Sequence, residues 1–585
     1  MRIFGLLILT LSLATAPARG QSPRQAFQAL LDDHWAWVLE QNPTFATSLG
    51  VRDYDDRLGR LSLAAMDEAL AKQQAFAKRL HAIDRQALTP ADQLNYQLFE
   101  RDLNMDIEAG GFGQRAMLFT TYYGWHSALS GLPDDLPFFT RADYESYVAR
   151  LNDIPRYNAE GIATTRWAIA HGYVQPCAAL EGFEKSIATH VVEKPEDSVF
   201  LKPFARQPAT MADADWAALK AAAVKAIMTK VVPAYGEWLE VYIREYAPRC
   251  RASVGAAALP DGAAYYAHRI RALTTTGMNA EDIHALGLAE VARIRGEMEA
   301  VIAKTGFAGD FTDFQNFLRT DPRFYAATAE DLLAKASRIA KRIDGELPRL
   351  FRRLPRMPYG VRPVPEDIAE QTTTAYYERP AGDGSRAGVF RINTSRLDAR
   401  PLFELEALTL HEAVPGHHLQ IALAQELDLP NFRRFGGITA FVEGWALYAE
   451  RLGLEMGFYE DPYSDFGRLS YEMWRAARLV VDTGIHAKGW TKQQAIDFMA
   501  ANTALSRHNI EAEVNRYITW PGQALGYKLG ELQIRGLRAK AEAALGDAFD
   551  VRAFHDKLLE NGPLPLAVLE DVITCWLAAQ ENRQG

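Results

Sequence analysis

Apolar residues recur at spacings of three and four along most of this chain, which is the pattern of helices with one buried face. Residues 23–302 show it repeatedly, and long examples over 64–83 and 213–246 are rich in alanine, leucine, lysine and glutamate. Prolines and glycines interrupt the pattern at intervals. After Phe403 the helical pattern resumes and continues almost to Asn582. The pattern therefore predicts a mainly α fold.

Residues 355–398 differ, because β-branched and aromatic residues stand there between glycine and proline breaks. They predict a small β-sheet with a turn at 381–385. The sheet comes directly before a histidine-rich segment at 411–418. An edge strand in that place is suited to pairing with an extended peptide, and a purely structural hairpin is the equal alternative.

The first twenty residues have the features of a signal peptide. Arg2 precedes an apolar run over residues 3–14, and small residues follow over 14–20. This pattern predicts cleavage near residue 20 and a periplasmic or secreted mature protein. No cysteine stands near that junction, so we expect that the protein is not a lipoprotein. The apolar run is too short to span a bilayer comfortably, and we expect no stable membrane insertion.

Composition sets limits on class and partners. Of the 585 residues, 48% are hydrophobic and 24% are charged, as in soluble globular proteins. The formal net charge of −10 argues against nucleic acid and anionic membranes as partners. We expect residues 21–585 to form one large body, with an N-terminal helical part over about 21–304 and a catalytic part over about 305–585. The oligomeric state is left open.

The chain contains three cysteines, Cys177, Cys250 and Cys575. None of them has the spacing of a metal site. Three buried thiols is the default expectation, but an oxidising compartment permits one disulfide, for which Cys177 with Cys250 is the preferred pair.

The sequence His-Glu-Ala-Val-Pro-Gly-His-His at residues 411–418 offers metal ligands and a general base together. In the zincin pattern H-E-x-x-H the second histidine lies one turn after the first, but here Pro415 takes that position. His417 and His418 follow His411 by six and seven residues. On a straight helix the first would point about 120° away and the second would lie about 10 Å along the axis. The proline-glycine pair therefore predicts a bulge that swings one of the two histidines back toward His411.

A third ligand is expected downstream, because a catalytic zinc ion is commonly held by two histidines and one glutamate. Glu443 lies 32 residues after His411, in a segment over 441–450 that is typical of an apolar helix. An acid in apolar surroundings needs a partner such as a metal ion. Glu450, seven residues later, is the competing ligand. The predicted cofactor is one zinc ion.

Four segments together resemble the bacterial DUF885 family. They are H-E-A-V-P-G-H-H, F-V-E-G-W-A-L-Y-A-E, V-V-D-T-G-I-H and Y-I-T-W-P-G-Q-A-L-G-Y-K-L-G, beginning at residues 411, 441, 480 and 517. The resemblance covers nearly the whole mature chain and implies a mostly helical zinc metallopeptidase. The segment E-G-W-A is more distantly similar to gluzincin peptidases, which implies a gluzincin- or neurolysin-like helical body. That similarity also implies that His417 is the second ligand, with His418 as the alternative.

Hydrolysis at zinc also needs a base for the water and donors for the oxyanion. Glu412 is the candidate base. Tyr527 and Tyr517 are the leading oxyanion donors, because histidine, arginine, tyrosine and lysine cluster over residues 507–528. The family resemblance implies that this cluster belongs to the site.

Further residues are candidates for binding a substrate or supporting the ligands. Arg516 and Lys528 have the charge to bind a peptide carboxylate. His486 is a candidate support for a metal ligand, or an alternative ligand. Arg475 and Arg478 are candidates to neutralise a glutamate of the site. The remaining substrate-binding candidates are Gln523, His508 and Asn393.

These features predict an exported zinc metallohydrolase, most simply a peptidase acting on short peptides. In this hypothesis His411, His417 and Glu443 hold the zinc ion, Glu412 is the base, and a small peptide is the partner. Two alternatives stay open. One is a hydrolase of other amides or esters, and the other is a non-catalytic periplasmic peptide-binding or scaffold protein with a degenerate metal site.

Overall fold

The computed structural model describes residues 22–121, 123–369 and 373–584. Over this part of the chain the protein consists mainly of α-helices, so the mainly α prediction is confirmed. The predicted signal peptide at residues 1–20 lies outside the described residues. Among the helices that are described, none is both long and apolar enough to cross a membrane.

The elements described in the first half of the chain are all helices, and many of them pack around hydrophobic clusters of their own. Its α-helices are α1 Pro23–Gln41, α2 Pro43–Ser48, α3 Leu63–His81, α4 Pro90–Gly110, α5 Ser127–Ser130, α6 Leu132–Asp135, α7 Arg141–Ala170, α8 Glu184–Ala188, α9 Asp213–Ala226, α10 Val232–Val241, α11 Gly262–Thr274, α12 Ala280–Thr305, α13 Phe311–Thr320 and α14 Ala329–Leu350. The helix predicted over 213–246 is present, with π-helical turns at Ile227–Val231 and Tyr242–Tyr246. Pro233 follows the first of these turns and cannot donate a backbone hydrogen bond to it.

A small three-stranded sheet precedes the histidine-rich segment, as predicted. Its strands are β1 Tyr359–Pro363, β2 Ala375–Glu378 and β3 Gly388–Ile392, in the order β1-β3-β2. β1 runs parallel to β3, and β2 runs antiparallel to it. β2 is therefore an edge strand, with one side bonded to β3.

The second half of the chain carries the sheet and the largest hydrophobic cluster. Its α-helices are α15 Glu366–Ala369, α16 Leu405–Glu412, α17 His417–Glu426, α18 Asn431–Arg434, α19 Thr439–Leu452, α20 Pro462–Ala487, α21 Lys492–Asn502, α22 Arg507–Thr519, α23 Gly526–Leu545, α24 Val551–Leu559 and α25 Leu566–Gln584. The division of the chain near residue 304 stays a prediction.

Helix α20 runs through the main core and is buried along almost its whole length. A helix buried on all sides is normally apolar, yet α20 carries a series of buried charged side chains. These are Arg468, Glu472, Arg475, Arg478 and Asp482. Buried charges need partners, and α20 finds them on neighbouring helices: Glu472 lies 2.8 Å from Lys528, and Arg478 lies 3.0 Å from Glu513. The core around α20 is thus held by ionic as well as apolar contacts.

Helices α19 and α23 cross at a pair of glycines. A Cβ atom added at Gly530 would lie 1.8 Å from the carbonyl oxygen of Ala440 and 2.8 Å from Cα of Gly444. Two backbones approach this closely only where neither residue has a side chain. The crossing fixes the position of α19, which carries the acidic residues Glu443 and Glu450.

Cys177 and Cys250 form a disulfide, with their Cα atoms 5.0 Å apart and a separation of 73 positions in sequence. The preferred pair is therefore the one that forms, and the default expectation of three buried thiols is wrong. Cys575 is a free, exposed thiol on α25.

Gly530→Ala is expected to lower the free energy of unfolding by about 1–3 kcal/mol, because the new methyl group must push α19 and α23 apart. Gly536→Ala in the same helix is the matched control, since nothing lies within 4 Å of the added carbon. Helix propensity alone should make this second variant about 1 kcal/mol more stable. Urea unfolding followed by circular dichroism measures both values, and equal effects would contradict the close crossing.

Candidate metal centre

The histidine-rich segment forms a turn between two helices rather than a bulge within one. α16 ends at Glu412 and α17 begins at His417, so the prediction of one interrupted helix is corrected. The turn over residues 413–416 contains a cis peptide bond before Pro415, and this residue has no N–H with which to continue α16. Because the break is complete, the register of α16 no longer dictates where His417 points.

Gly416 allows the turn to fold back onto the end of α16. A Cβ atom at this position would lie 1.9 Å from the carbonyl oxygen of His411 and 2.5 Å from that of Leu410. No side chain fits in that space, so the turn requires glycine. On its other side, Nε1 of Trp445 donates a hydrogen bond of 2.8 Å to the carbonyl of Pro415. This contact holds the turn against α19.

Three side chains from three helices meet beside the turn. Nε2 of His411 lies 3.6 Å from Oε2 of Glu443, and Nε2 of His417 lies 3.4 Å from the same oxygen. The three ligand atoms all lie within 4.8 Å of one another. Ligand atoms about 2.1 Å from a tetrahedral ion are about 3.4 Å apart. The spacing therefore fits a single shared metal ion.

Oε2 of Glu443 has the environment of a ligand atom. It is buried and has no hydrogen-bond partner among the described residues. Burial alone would raise the pKa of Glu443, but the charge on His417 and the contacts with both histidines hold it well below its usual range. A buried carboxylate oxygen that stays ionised without a hydrogen bond needs positive charge beside it. A metal ion between the two imidazoles would supply that charge.

Glu450 lies behind His411 rather than beside Glu443. Its Oε1 is 2.8 Å from Nδ1 of His411 and 3.5 Å from Nη2 of Arg475. Burial alone would lower the pKa of His411, but the interactions with Glu443 and Glu450 outweigh it and raise the pKa to about 9. A carboxylate in this position fixes the orientation of a ligating histidine. The idea of Glu450 as the competing third ligand is therefore corrected.

His418 points to the sheet and takes no part in the cluster. Its Nε2 lies 3.0 Å from the carbonyl of Met357, and its Nδ1 lies 2.8 Å from the hydroxyl of Tyr377. Burial lowers the pKa of His418 to about 4, so the ring is neutral and donates to Met357 while accepting from Tyr377. Of the two adjacent histidines, the structure brings His417 to His411 and Glu443.

The cluster opens into a cavity of about 300 Å³, which is the size of a small-ligand site. One wall is the end of α16 and the start of α17, another is the β2 segment, and the others come from α19, α20, α22 and α23. The lining residues are Thr373, Thr374, Ala375, Tyr376, Tyr377, Leu408, His411, Glu412, His417, Ile421, Val442, Glu443, Tyr471, Trp474, Arg475, Arg478, Glu513, Arg516, Trp520, Gln523 and Tyr527.

Besides Arg475 and Arg478, four other residues selected from the sequence line this cavity. Glu412 directly follows His411 and is 8% exposed. The ring of Tyr527 lies parallel to that of His411, with the centroids 6.4 Å apart. Arg516 donates to the Tyr527 hydroxyl at 3.3 Å and to Gln523 at 2.8 Å. These residues therefore share the cavity with the candidate ligands.

Two aromatic predictions are corrected by packing. Tyr517 does not line the cavity, because its hydroxyl is buried and accepts hydrogen bonds from Nε1 of Trp474 and Nε of Arg478. It supports the arginine rather than facing a substrate. His486 is likewise buried away from the ligands, between the backbone N–H of Ala256 and the carbonyl of Tyr517.

Three substrate-binding predictions are also corrected. Lys528 is completely buried and bonds to Glu472 at 2.8 Å and Glu531 at 2.9 Å, so it belongs to the core around α20. His508 is exposed on α22 and does not line the cavity. Asn393 is buried at the end of β3, where its amide donates to the carbonyl of Ala369. Each of these side chains faces away from the cavity.

Several residues that line the cavity were not predicted from the sequence. Tyr471 and Trp474 stand on α20 beside the arginines, and Glu513 on α22 accepts hydrogen bonds from Arg478 and lies 3.4 Å from Arg516. The segment of α20 carries many charged residues, yet it is too apolar overall to be an exposed helix. This combination was the available signal. Of the two α20 arginines that line the cavity, Arg475 faces Glu450 and Arg478 faces Glu513.

The fold and site define a mainly helical protein with a candidate metal centre inside a cavity. The chain belongs to the DUF885 family, whose model matches residues 43–573 and whose description is a bacterial protein of unknown function. The predicted family membership is therefore confirmed. No curated protein matches the chain.

Two solved structures resemble the protein. The crystal structure of the putative lipoprotein from Colwellia psychrerythraea has a TM-score of 0.88 and 30% identity, covering 95% of this chain and 100% of that one. A putative lipoprotein of unknown function from Shewanella oneidensis has a TM-score of 0.63 and 20% identity, with the same coverage. This second likeness shows a common fold alone.

The comparisons contradict the prediction that this protein is not a lipoprotein, because both similar structures are described as putative lipoproteins. That prediction rested on the lack of a cysteine near residue 20, and residues 1–21 lie outside the described part of the chain. We withdraw it.

Proposed function

We propose that this protein is a zinc-dependent hydrolase that cleaves peptide bonds in short peptides. The convergence of His411, His417 and Glu443 carries the proposal, because two histidines and a glutamate form the ligand set of many catalytic zinc sites. That set leaves a fourth position open for reaction. The three ligand atoms also face a cavity of about 300 Å³, which offers room for a small substrate.

Zinc, when bound, supplies Lewis-acid activation of water and of a carbonyl group. Glu412 follows a ligand directly in sequence and lines the same cavity, so its carboxylate is the group placed to accept a proton from the attacking water. It then delivers that proton to the leaving amine. The same residue thus acts first as base and then as acid.

The hydroxyl of Tyr527 is suited to stabilise the oxyanion. It accepts hydrogen bonds from Arg516 at 3.3 Å and from Gln523 at 3.4 Å. Because a hydroxyl has one donor and these contacts use its acceptor positions, its own proton remains for a substrate. A donor held in advance by two neighbours loses little energy in reorganisation. Tyr527 is therefore our choice of oxyanion donor.

The edge strand β2 offers a binding surface for an extended peptide. Its segment over 373–377 forms one wall of the cavity, and its partner β3 lies on the other side. Pairing with an edge strand is a general way to bind an extended peptide backbone without regard to its side chains. This surface favours a peptide over a compact ester or amide.

His417→Ala should abolish stoichiometric zinc binding, whereas His418→Ala should retain one zinc ion per chain. The reason is that only the first of these rings faces Glu443, while the second is bonded to Met357 and Tyr377. Mass spectrometric metal analysis after dialysis measures the content, and circular dichroism checks the fold of both variants. Zinc retained by the first variant and lost by the second would reverse the assignment.

Glu412→Gln should retain zinc and lower turnover of a mixture of short peptides by about 10²–10⁴-fold, since the amide cannot accept the proton. Glu406→Gln is the matched control on the same helix, because that residue accepts a hydrogen bond from the Tyr459 backbone and does not line the cavity. Its turnover should equal that of the wild type. Wild-type turnover by the first variant would exclude the proposed base.

Glu450→Gln should weaken zinc binding by about 10- to 100-fold, because the neutral amide polarises and orients His411 less than the carboxylate does. Glu455→Gln is the control, since this more exposed acid pairs with Arg538 instead. Competition with a chromophoric chelator measures both affinities. An unchanged affinity in Glu450→Gln would show that the contact behind His411 has no role in metal binding.

A further inference from the structure

We propose that Arg478 binds the free C-terminal carboxylate of the substrate, so that the protein removes one or two residues from the C-terminus of a peptide. This inference rests on the hydrolase proposed above and assigns it a direction of cleavage. It starts from one unused donor. Arg478 is 2% exposed and lines the cavity, and its Nη1 is buried with no hydrogen-bond acceptor among the described residues.

The guanidinium group of Arg478 is held rigidly by its other contacts. Nε donates to the Tyr517 hydroxyl at 2.9 Å, and Nη2 donates to Glu513 at 3.0 Å. The planar group also stacks on Trp474 and Tyr527, with Cζ 4.5 and 4.2 Å from the ring centroids. An arginine fixed in this way loses little entropy when it binds a carboxylate. Nη1 is the nitrogen of the group that is left for a ligand.

The distance to the metal centre fits a C-terminal residue or dipeptide. Cζ of Arg478 lies 4.2 Å from the Tyr527 ring centroid, which lies 6.4 Å from that of His411. Since the two distances share a point, Arg478 is at most about 11 Å from the His411 ring. A guanidinium and the carboxylate that it binds take up about 4 Å of this span. At most about 7 Å remains, so no more than about two extended residues fit in this span.

The charges around the cavity also favour an anionic group. Its ionisable lining contains three glutamates and three arginines besides the two histidines. They are Glu412, Glu443, Glu513, Arg475, Arg478 and Arg516. A bound dication beside Glu443 would leave an excess of positive charge, with two of the arginines already sharing Glu513. A substrate carboxylate would neutralise part of this positive charge. The free-energy cost of burying the carboxylate is low, because a buried charge is stable when it is paired.

The test compares a mixture of tetrapeptides as free acids with the same peptides as C-terminal amides. The zinc-loaded wild type should cleave the acids with a kcat/KM about 10- to 100-fold higher, which is the worth of a hydrogen-bonded charged pair. Mass spectrometry of the products should show the loss of one or two C-terminal residues. Equal cleavage of acids and amides, or loss of N-terminal residues, would overturn the inference and leave the hydrolase in place.

Binding measured without turnover separates the two proposals. Calorimetry with the Glu412→Gln variant should give a dissociation constant at least tenfold lower for the acids than for the amides. Selective binding of acids by this variant, together with no cleavage of them by the zinc-loaded wild type, would refute the hydrolase and keep the carboxylate pocket. Equal binding of both, or binding of neither, would refute the pocket.

Arg478→Lys tests the residue itself, because lysine keeps the charge but loses the planar fork. The ratio of acid to amide cleavage should fall at least tenfold in this variant, and the ratio is insensitive to a general loss of active protein. Arg319→Lys is the matched control, since that half-buried guanidinium donates to backbone carbonyls of the segment after α21 and does not line the cavity. Its ratio should stay at the wild-type value. An unchanged ratio in the first variant would overturn the assignment.

Discussion

The candidate site depends on the fold of one short turn against the end of α16. Gly416 lies so close to the carbonyl oxygen of His411 that any side-chain carbon there would overlap it. This approach ends one helix and starts the next within four residues, which places His417 beside His411 despite an unsuitable spacing in a continuous helix. Trp445 holds the turn from the neighbouring helix α19. Every other group of the site is positioned relative to this pair of histidines.

Helix α19 completes the site because its two acids serve one histidine from opposite sides. Glu443 and Glu450 are seven residues apart, which places them on the same face of the helix and about 10 Å apart along its axis. The imidazole of His411 lies between them, with Nε2 toward the first and Nδ1 toward the second. The same helix is fixed from behind by its glycine crossing with α23 at Gly530. The packing of these helices therefore determines the geometry of the candidate metal centre.

Periodicity predicted the helices and the small sheet, because those patterns are local. It could not choose between His417 and His418, since the direction of each side chain is set by a turn whose shape depends on contacts with α19. The same limit explains Tyr527 and Lys528: adjacent residues on a helix point about 100° apart, so one lines the cavity and the other enters the core. Tyr517 was misassigned for a related reason, because burial under α20 is a property of tertiary packing. The residue types indicated which chemistry to expect, whereas tertiary packing determined which of these side chains line the cavity.

The α20 arginines Arg475 and Arg478 give a reason to consider the candidate metal centre and the proposed substrate pocket as one electrostatic unit. Arg475 faces the acid behind His411, and Arg478 faces Glu513 while its Nη1 has no acceptor among the described residues. Burying such groups is costly, and evolution toward stability alone would favour apolar replacements of similar volume. The free-energy cost of burying these arginines is understandable if each of them stabilises a different negative charge in the proposed reaction. One such charge is the carboxylate of Glu450, which orients the candidate ligand His411, and the other is the carboxylate of the proposed substrate. Both would lie along one face of the buried helix α20.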